Sequence, residues 1–162
     1  SSSKKGLQSV KELLQKQDTA TAYIFWEPKS IAPQTARVLA KYIQVEEFKI
    51  PKILFNFLGS FSPGNAKNSL QLLQRAGKEN PPDMLLIMLS RQIRQLYCVL
   101  VDPQNLKLPD WQKRNLEEQA KKFSPEQLLN LHSQLLDLDR KNKRSQLPED
   151  LGASLDLLVA SL

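Results

Sequence analysis

Two groups of cations are the residues of this chain whose types and spacing could carry binding chemistry. Arg91 and Arg94 stand three apart in Arg91-Gln92-Ile93-Arg94, and residues three apart share a helix face. Two guanidinium groups so placed suit a carboxylate, a phosphate or the carbonyl end of a neighbouring helix. The plainer alternative is that both stems lie along the core border with their charges in water. The second group is Arg140-Lys141-Asn142-Lys143-Arg144. There, DNA or phosphate contact by Arg140, Lys141, Lys143 and Arg144 competes with a structural role, because cations past the last leucine of a helix complement its carbonyl end. Trp111 and Lys113 join Arg91 and Arg94 as subunit-interface candidates through their place at a helix start.

Catalytic and cofactor chemistry finds little here. The only histidine, His132, lies five and seven residues before Asp137 and Asp139, spacings that do not align an imidazole with a carboxylate on a helix. One Cys and one His fall short of a zinc ligand set. In the pairs Glu46-Glu47 and Glu117-Glu118 the adjacent side chains diverge. No phosphate-binding Gly-x-x-x-x-Gly-Lys motif occurs, and Ser62-Pro63-Gly64-Asn65-Ala66-Lys67 reads as a loop and helix cap. Trp26, Tyr42, Tyr97 and Trp111 could stack on bases, but each lies in or beside an apolar stripe, where core packing is the simpler reading. No catalytic residue, metal ligand or cofactor is therefore expected.

The elements that must hold these residues follow from apolar spacing and punctuation. Leu7, Val10, Leu13 and Leu14 predict a short first helix, and Thr21-Ala22-Tyr23-Ile24-Phe25-Trp26 a buried strand. Pro33 opens a helix with Ala36, Leu39, Ala40 and Ile43 on one face, and Val45-Glu46-Glu47-Phe48-Lys49 reads as a second strand. A strand, helix and strand of this length predict a right-handed parallel crossover. Two strands alone leave the apolar one uncovered, which predicts the remnant of a larger α/β domain.

From Pro51 onward the pattern is helical. Ile53, Leu54, Phe57 and Leu58 mark a short helix, broken by Gly59-Ser60-Phe61-Ser62-Pro63-Gly64. Asn65 begins another that runs to Gly77, and Pro81-Pro82-Asp83 opens a long one that ends at Val101-Asp102-Pro103. Leu108-Pro109-Asp110-Trp111 and Ser124-Pro125 open two more, predicted to pack antiparallel because so few residues join them. After a polar loop, Leu151, Leu155, Leu158 and Val159 mark the last helix. The fold class expected is α+β, mostly α: a small parallel β-α-β remnant followed by a bundle of about five to six helices.

The net charge of +6 permits nucleic acid or an acidic protein surface as partner without choosing between them. Ser90 and Arg91 interrupt the apolar run 84–89, well short of the roughly 18 residues of a membrane span, so a soluble chain is expected. The lone Cys98 fits a reducing compartment and a small core position. Ser1-Ser2-Ser3-Lys4-Lys5-Gly6, without an initiator Met or a signal-peptide core, reads as a linker or cut end.

Taken in order, these residues resemble the C-terminal part of the DNA polymerase III delta subunit, a clamp-loader family of the AAA+ superfamily. Gly64-Asn65-Ala66-Lys67 with Leu70, Leu72 and Leu73 resembles the opening of its C-terminal helical domain, and the segment from Leu85 through Arg91 and Arg94 to Leu96 its most recognisable helix. Residues 109–129 resemble the next pair, and Asp139-Arg140-Lys141-Asn142-Lys143 with Leu155 and Leu158 the basic turn and last helix. Tyr23-Ile24-Phe25-Trp26-Glu27 and Val45-Glu46-Glu47-Phe48-Lys49 resemble the last two strands of its first domain. One departure is plain: only residues 50–63 stand where that family inserts a helical lid domain.

The resemblance implies three segments: 1–50 as the end of an AAA+-like domain, 51–63 as a short helical connector in place of a lid, and 64–162 as a helical collar. It implies a cytoplasmic, non-catalytic subunit of the replicative clamp loader, which helps place the sliding clamp on primed DNA. Other clamp-loader subunits would be met through the collar, and the clamp only through a part of the first domain preceding these residues. DNA contact would be weak, and no membrane is involved. The rival expectation, from the charge alone, is a basic helical nucleic-acid-binding adaptor.

Overall fold

Prolines and short polar residues set the helix boundaries, and a computed structural model of the chain describes residues 8, 9, 12, 23–28, 30–47 and 50–162. The chain divides into two units, Ser1–Lys49 and Ile50–Leu162.

In the first unit, Pro33 at the first helical position opens α1 (Pro33–Leu39), where its fixed φ suits a helix start. Leu39 is its one buried side chain, so the predicted apolar face is largely open. The expected helix over residues 7–16 lies mostly outside the described residues; Gln8, Ser9 and Glu12 within it are helical. The expected β-α-β remnant is not seen. Residues 23–27 and 44–47 carry no regular secondary structure and join no ladder among the described residues, and Phe48 and Lys49 lie outside them. Ile24 is 96% exposed and Trp26 82%, with the Tyr23 and Phe25 rings stacked at 6.4 Å. An extended segment becomes a stable strand only with neighbours on its edges and cover on its faces, and the described part of this unit supplies neither.

The second unit is helical throughout: α2 (Lys52–Ser60), α3 (Ala66–Gly77), α4 (Pro82–Val101), a 3₁₀ turn (Pro103–Asn105), α5 (Asp110–Ala120), α6 (Pro125–Lys143) and α7 (Leu151–Ala160). Helix α4 is its axis and touches every other helix of the unit. Leu85, Leu86, Leu89, Ile93, Leu96 and Val99 are buried along it, each contributing about 1.5–3 kcal/mol of apolar transfer energy. An 18-residue window of α4 reaches a mean hydropathy of 1.4, so by length and composition the helix could cross a membrane. A core helix of a globular protein passes the same test, and Ser90 and Arg91 end the uninterrupted apolar run within it.

One further expectation is corrected. Helices α5 and α6 each pack along α4 and scarcely touch one another, so they form no antiparallel pair. Four residues suffice to join them because α4 offers both a longer apolar surface than either offers the other. Helix α2 contributes Leu54, Phe57 and Leu58 to the core of this unit.

Buried polar groups fix how α2 meets the rest. Gln119, only 7% exposed, donates both amide hydrogens, to the carbonyls of Leu58 at 2.7 Å and Phe61 at 2.8 Å. Its own carbonyl accepts from Gln92 Nε2 at 2.7 Å. Carbonyls at a helix end have no partner within the helix, so one side chain of α5 caps α2 while bonded to α4. Ser60 O similarly accepts from Asn65 Nδ2 at 2.7 Å and Ser69 Oγ at 2.9 Å, closing the turn into α3. Gly64 in that turn has φ +75°, a left-handed conformation that only glycine adopts without strain. The Phe61 ring stacks on Phe123 at 6.1 Å, tying the turn to the α5–α6 junction.

Helix α6 starts with a complete capping box: Ser124 Oγ accepts from Gln127 N, and Gln127 Oε1 from Ser124 N. It ends in a double bond pattern, Ser145 N to Asn142 O and Gln146 N to Lys141 O, with Ser145 at φ 53°. Glycine is the usual residue at that position. Ser145→Gly should therefore raise stability by about 0.5–1 kcal/mol, the left-handed penalty less glycine's extra chain entropy, as a higher thermal midpoint. Gln119→Leu, which keeps volume and strands two carbonyls, should lower the unfolding free energy by roughly 1–3 kcal/mol or more. Urea denaturation measures this, and an unchanged midpoint would contradict the capping role.

Candidate functional site

Asp102 and Pro103 end α4 and send the chain back over its last turns. The returning segment and α4 enclose an open groove of about 380 Å³. Arg91, Arg94, Gln95 and Cys98 line it from the helix, and Asn105, Leu106, Lys107 and Leu108 from the returning chain. Leu106 is buried and Leu108 half-buried, while Arg91, Arg94 and Lys107 are exposed. None of these three cations forms an ion pair among the described residues. Asp102, at the end of α4, accepts a hydrogen bond from Asn105 Nδ2 at 2.5 Å.

Of the four interface candidates, the groove brings together Arg91 and Arg94 but not Trp111 or Lys113. Trp111 is 58% exposed, so it departs from the apolar stripe that its spacing suggested. Lys113 is half-buried. Tyr42, 59% exposed, and Trp26 are likewise outside any core, and Cys98 is half-buried in the groove wall. Lys107 went unnoticed in the sequence; the signal was present in Asp102-Pro103, since a helix stopped there must fold back on its own last turns.

The second cation group is built differently. Asp137 takes Arg140 Nη2 at 2.5 Å on one oxygen and Lys141 Nζ at 2.7 Å on the other, and Asp139 takes Lys143 Nζ at 2.7 Å. Three of the four cations expected to meet phosphate are thus paired within their own helix, and Arg144 stands beyond it as its C-cap. His132 is exposed and one to two turns from that network. Asn142 Nδ2 reaches Asp83 Oδ1 at 3.0 Å, joining the end of α6 to the start of α4. Among the described residues no three His, Cys, Asp or Glu side chains cluster as a metal site.

A second groove, of about 300 Å³, lies where α3, α4 and α7 meet, with Leu73, Pro82, Leu85 and Leu155 as its apolar lining. Gly152 there sits against the helix cap, since a Cβ would come 3.0 Å from Asp150 Oδ1, the oxygen that accepts from Ala153 N. Its role is to start α7.

No family model matches the chain, and neither a curated protein nor a solved structure matches it significantly.

The hydrogen bond from Lys141, and after it that from Arg140, holds the Asp137 carboxyl below the usual carboxylate range. A depressed carboxylate stabilises the fold above its unfolded-state value, and that contribution disappears as pH falls through the folded one. A ¹³C titration of Asp137 should therefore show a midpoint below that of a free aspartate. Replacing Arg140 and Lys141 by Ala should move it up toward the ordinary value; no movement would refute the pairing.

Proposed function

We propose that this chain is a non-catalytic subunit of a bacterial replicative clamp loader, resembling the DNA polymerase III delta subunit, with residues 64–162 as its helical collar. The observation that carries this reading is the helical unit itself. Its six helices are organised on α4, whose exposed side presents Arg91 and Arg94 without ion-pair partners among the described residues, and its polar burial goes into helix ends. Such a unit suits holding neighbours in a ring. Trp111, exposed at the start of α5, and Lys113 two residues on are the further interface positions in this reading.

In the same reading, residues 1–50 are the end of an AAA+-like domain. Tyr23-Ile24-Phe25-Trp26, exposed, and Val45-Glu46-Glu47 would become parallel strands when the rest of such a sheet pairs with them. The sliding clamp would be met by an earlier part of that domain, and the protein would work in the cytoplasm without hydrolysing ATP. Residues 51–63 take the place of the lid by sending α2 into the collar. A basic nucleic-acid adaptor has less support, because Asp137 and Asp139 already hold Arg140, Lys141 and Lys143.

Co-expression with clamp-loader partners tests the reading. A stable complex is expected on size exclusion, and Trp111 emission in a Trp26→Phe background should move to the blue as a partner covers the indole. No complex with correctly folded partners would overturn the proposal. DNA binding whose affinity falls steeply and linearly in log salt would favour the adaptor instead, since each phosphate contact releases counterions.

A further inference from the structure

We infer that the groove between α4 and the chain returning past the 3₁₀ turn is a docking site for an acidic, leucine-bearing peptide segment of a neighbouring protein. The inference rests on reading the chain as one subunit of a larger assembly, and it names the chemistry of the partner that Arg91 and Arg94 meet.

Three observations carry it. The first is unspent charge. Lys121 pairs with Glu118, Arg140 and Lys141 with Asp137, and Lys143 with Asp139, all within one helical turn. Among the described residues Arg91, Arg94 and Lys107 have no such partner, although they come from two separate segments and converge on one groove. A partner carrying carboxylates complements them, and a guanidinium fork holds a carboxylate by two parallel hydrogen bonds.

The second observation is the apolar lining. Leu106, buried, and Leu108 and Cys98, half-buried, line the same groove as the cations. Apolar and cationic lining together fits a peptide whose acidic side chains alternate with an apolar one, as in the anchors of protein interfaces. It suits nucleic acid poorly. Single strands are held by aromatic platforms along a basic track, and no aromatic ring lines this groove. The third is size. About 380 Å³ accommodates a few side chains rather than a folded domain.

The test uses the full chain, isotope-labelled, and follows the amides of residues 91, 94, 98 and 107. The probe is a short peptide alternating Glu and Leu, with its Gln-and-Leu counterpart, oligo-dT and inorganic phosphate as competitors. Saturable shifts at the groove are expected with the Glu peptide and not with the Gln peptide. Arg91→Glu with Arg94→Glu should weaken binding roughly tenfold or more by setting like charges against the ligand. Should that pair of changes disturb folding, Lys107→Glu in the exposed returning chain provides the same comparison.

The absence of saturable shifts, equal binding of the Gln peptide, or tighter binding of oligo-dT or phosphate at these residues would each overturn the inference. Assembly with clamp-loader subunits is scored separately. A chain that assembles but leaves the groove indifferent to the Glu peptide defeats this inference alone. One that binds the peptide at the groove and never assembles defeats the collar reading alone.

Discussion

A single buried amide joins three helices of this protein. Gln119 uses both its donors and its acceptor oxygen: the donors go to the carbonyls of Leu58 and Phe61 at the end of α2, and the oxygen accepts from Gln92 of α4. An unsatisfied buried carbonyl costs a substantial part of a domain's net stability, so α2 can enter the core only in the register that brings Leu58 and Phe61 to this side chain. That register sets Phe61 on Phe123 and Ser60 within reach of Asn65 and Ser69. Apolar burial supplies the larger energy, but it is non-directional, and the amide selects one arrangement among those a greasy helix could adopt.

The two cation groups show how similar residues come to different uses through their surroundings. At the end of α6, aspartates one turn earlier absorb the charge, and the cations help to finish a helix that closes with a left-handed serine. On α4 the positions one turn either side of Arg91 and Arg94 are Ile87, Ser90, Gln95 and Cys98. No acid lies there to pair with them, so their charge faces outward into the groove.

Much of the helical unit was legible from the sequence because its boundaries rest on local chemistry. Pro82, Pro125 and the Ser124 cap act within their own turn, and the structure places α2 to α7 where these signals predict. What escaped reading depends on distant neighbours. The pairing of α5 with α4 rather than α6 is decided by competition between apolar surfaces, which spacing within one helix does not report. Trp111 carries the apolar character of a core residue yet faces solvent, since the face of α5 is set by Leu116, Gln119 and Ala120. A glutamine on that face, three residues past Leu116, was the sequence's one sign of the buried bond. The strands expected at residues 23–26 and 45–49 required partners that a local pattern can demand but not provide. At the candidate groove, the arginine pair was readable and the lysine opposite was not, because its approach depends on the path of the chain after Pro103.

The bond from Gln119 to Leu58 spans 61 residues, and that separation bears on the order in which the unit can be completed. Loop closure must be met before a distant contact contributes anything. On a ribosome, where a chain emerges residue by residue, α2, α3 and α4 are all exposed before α5 arrives with the amide that caps the first of them. The turn at Ser60 closes early on its own serine and asparagine. The carbonyls of Leu58 and Phe61 wait for this partner until synthesis has passed residue 119, so the helix that starts the bundle is finished only after α3 and α4 have been made.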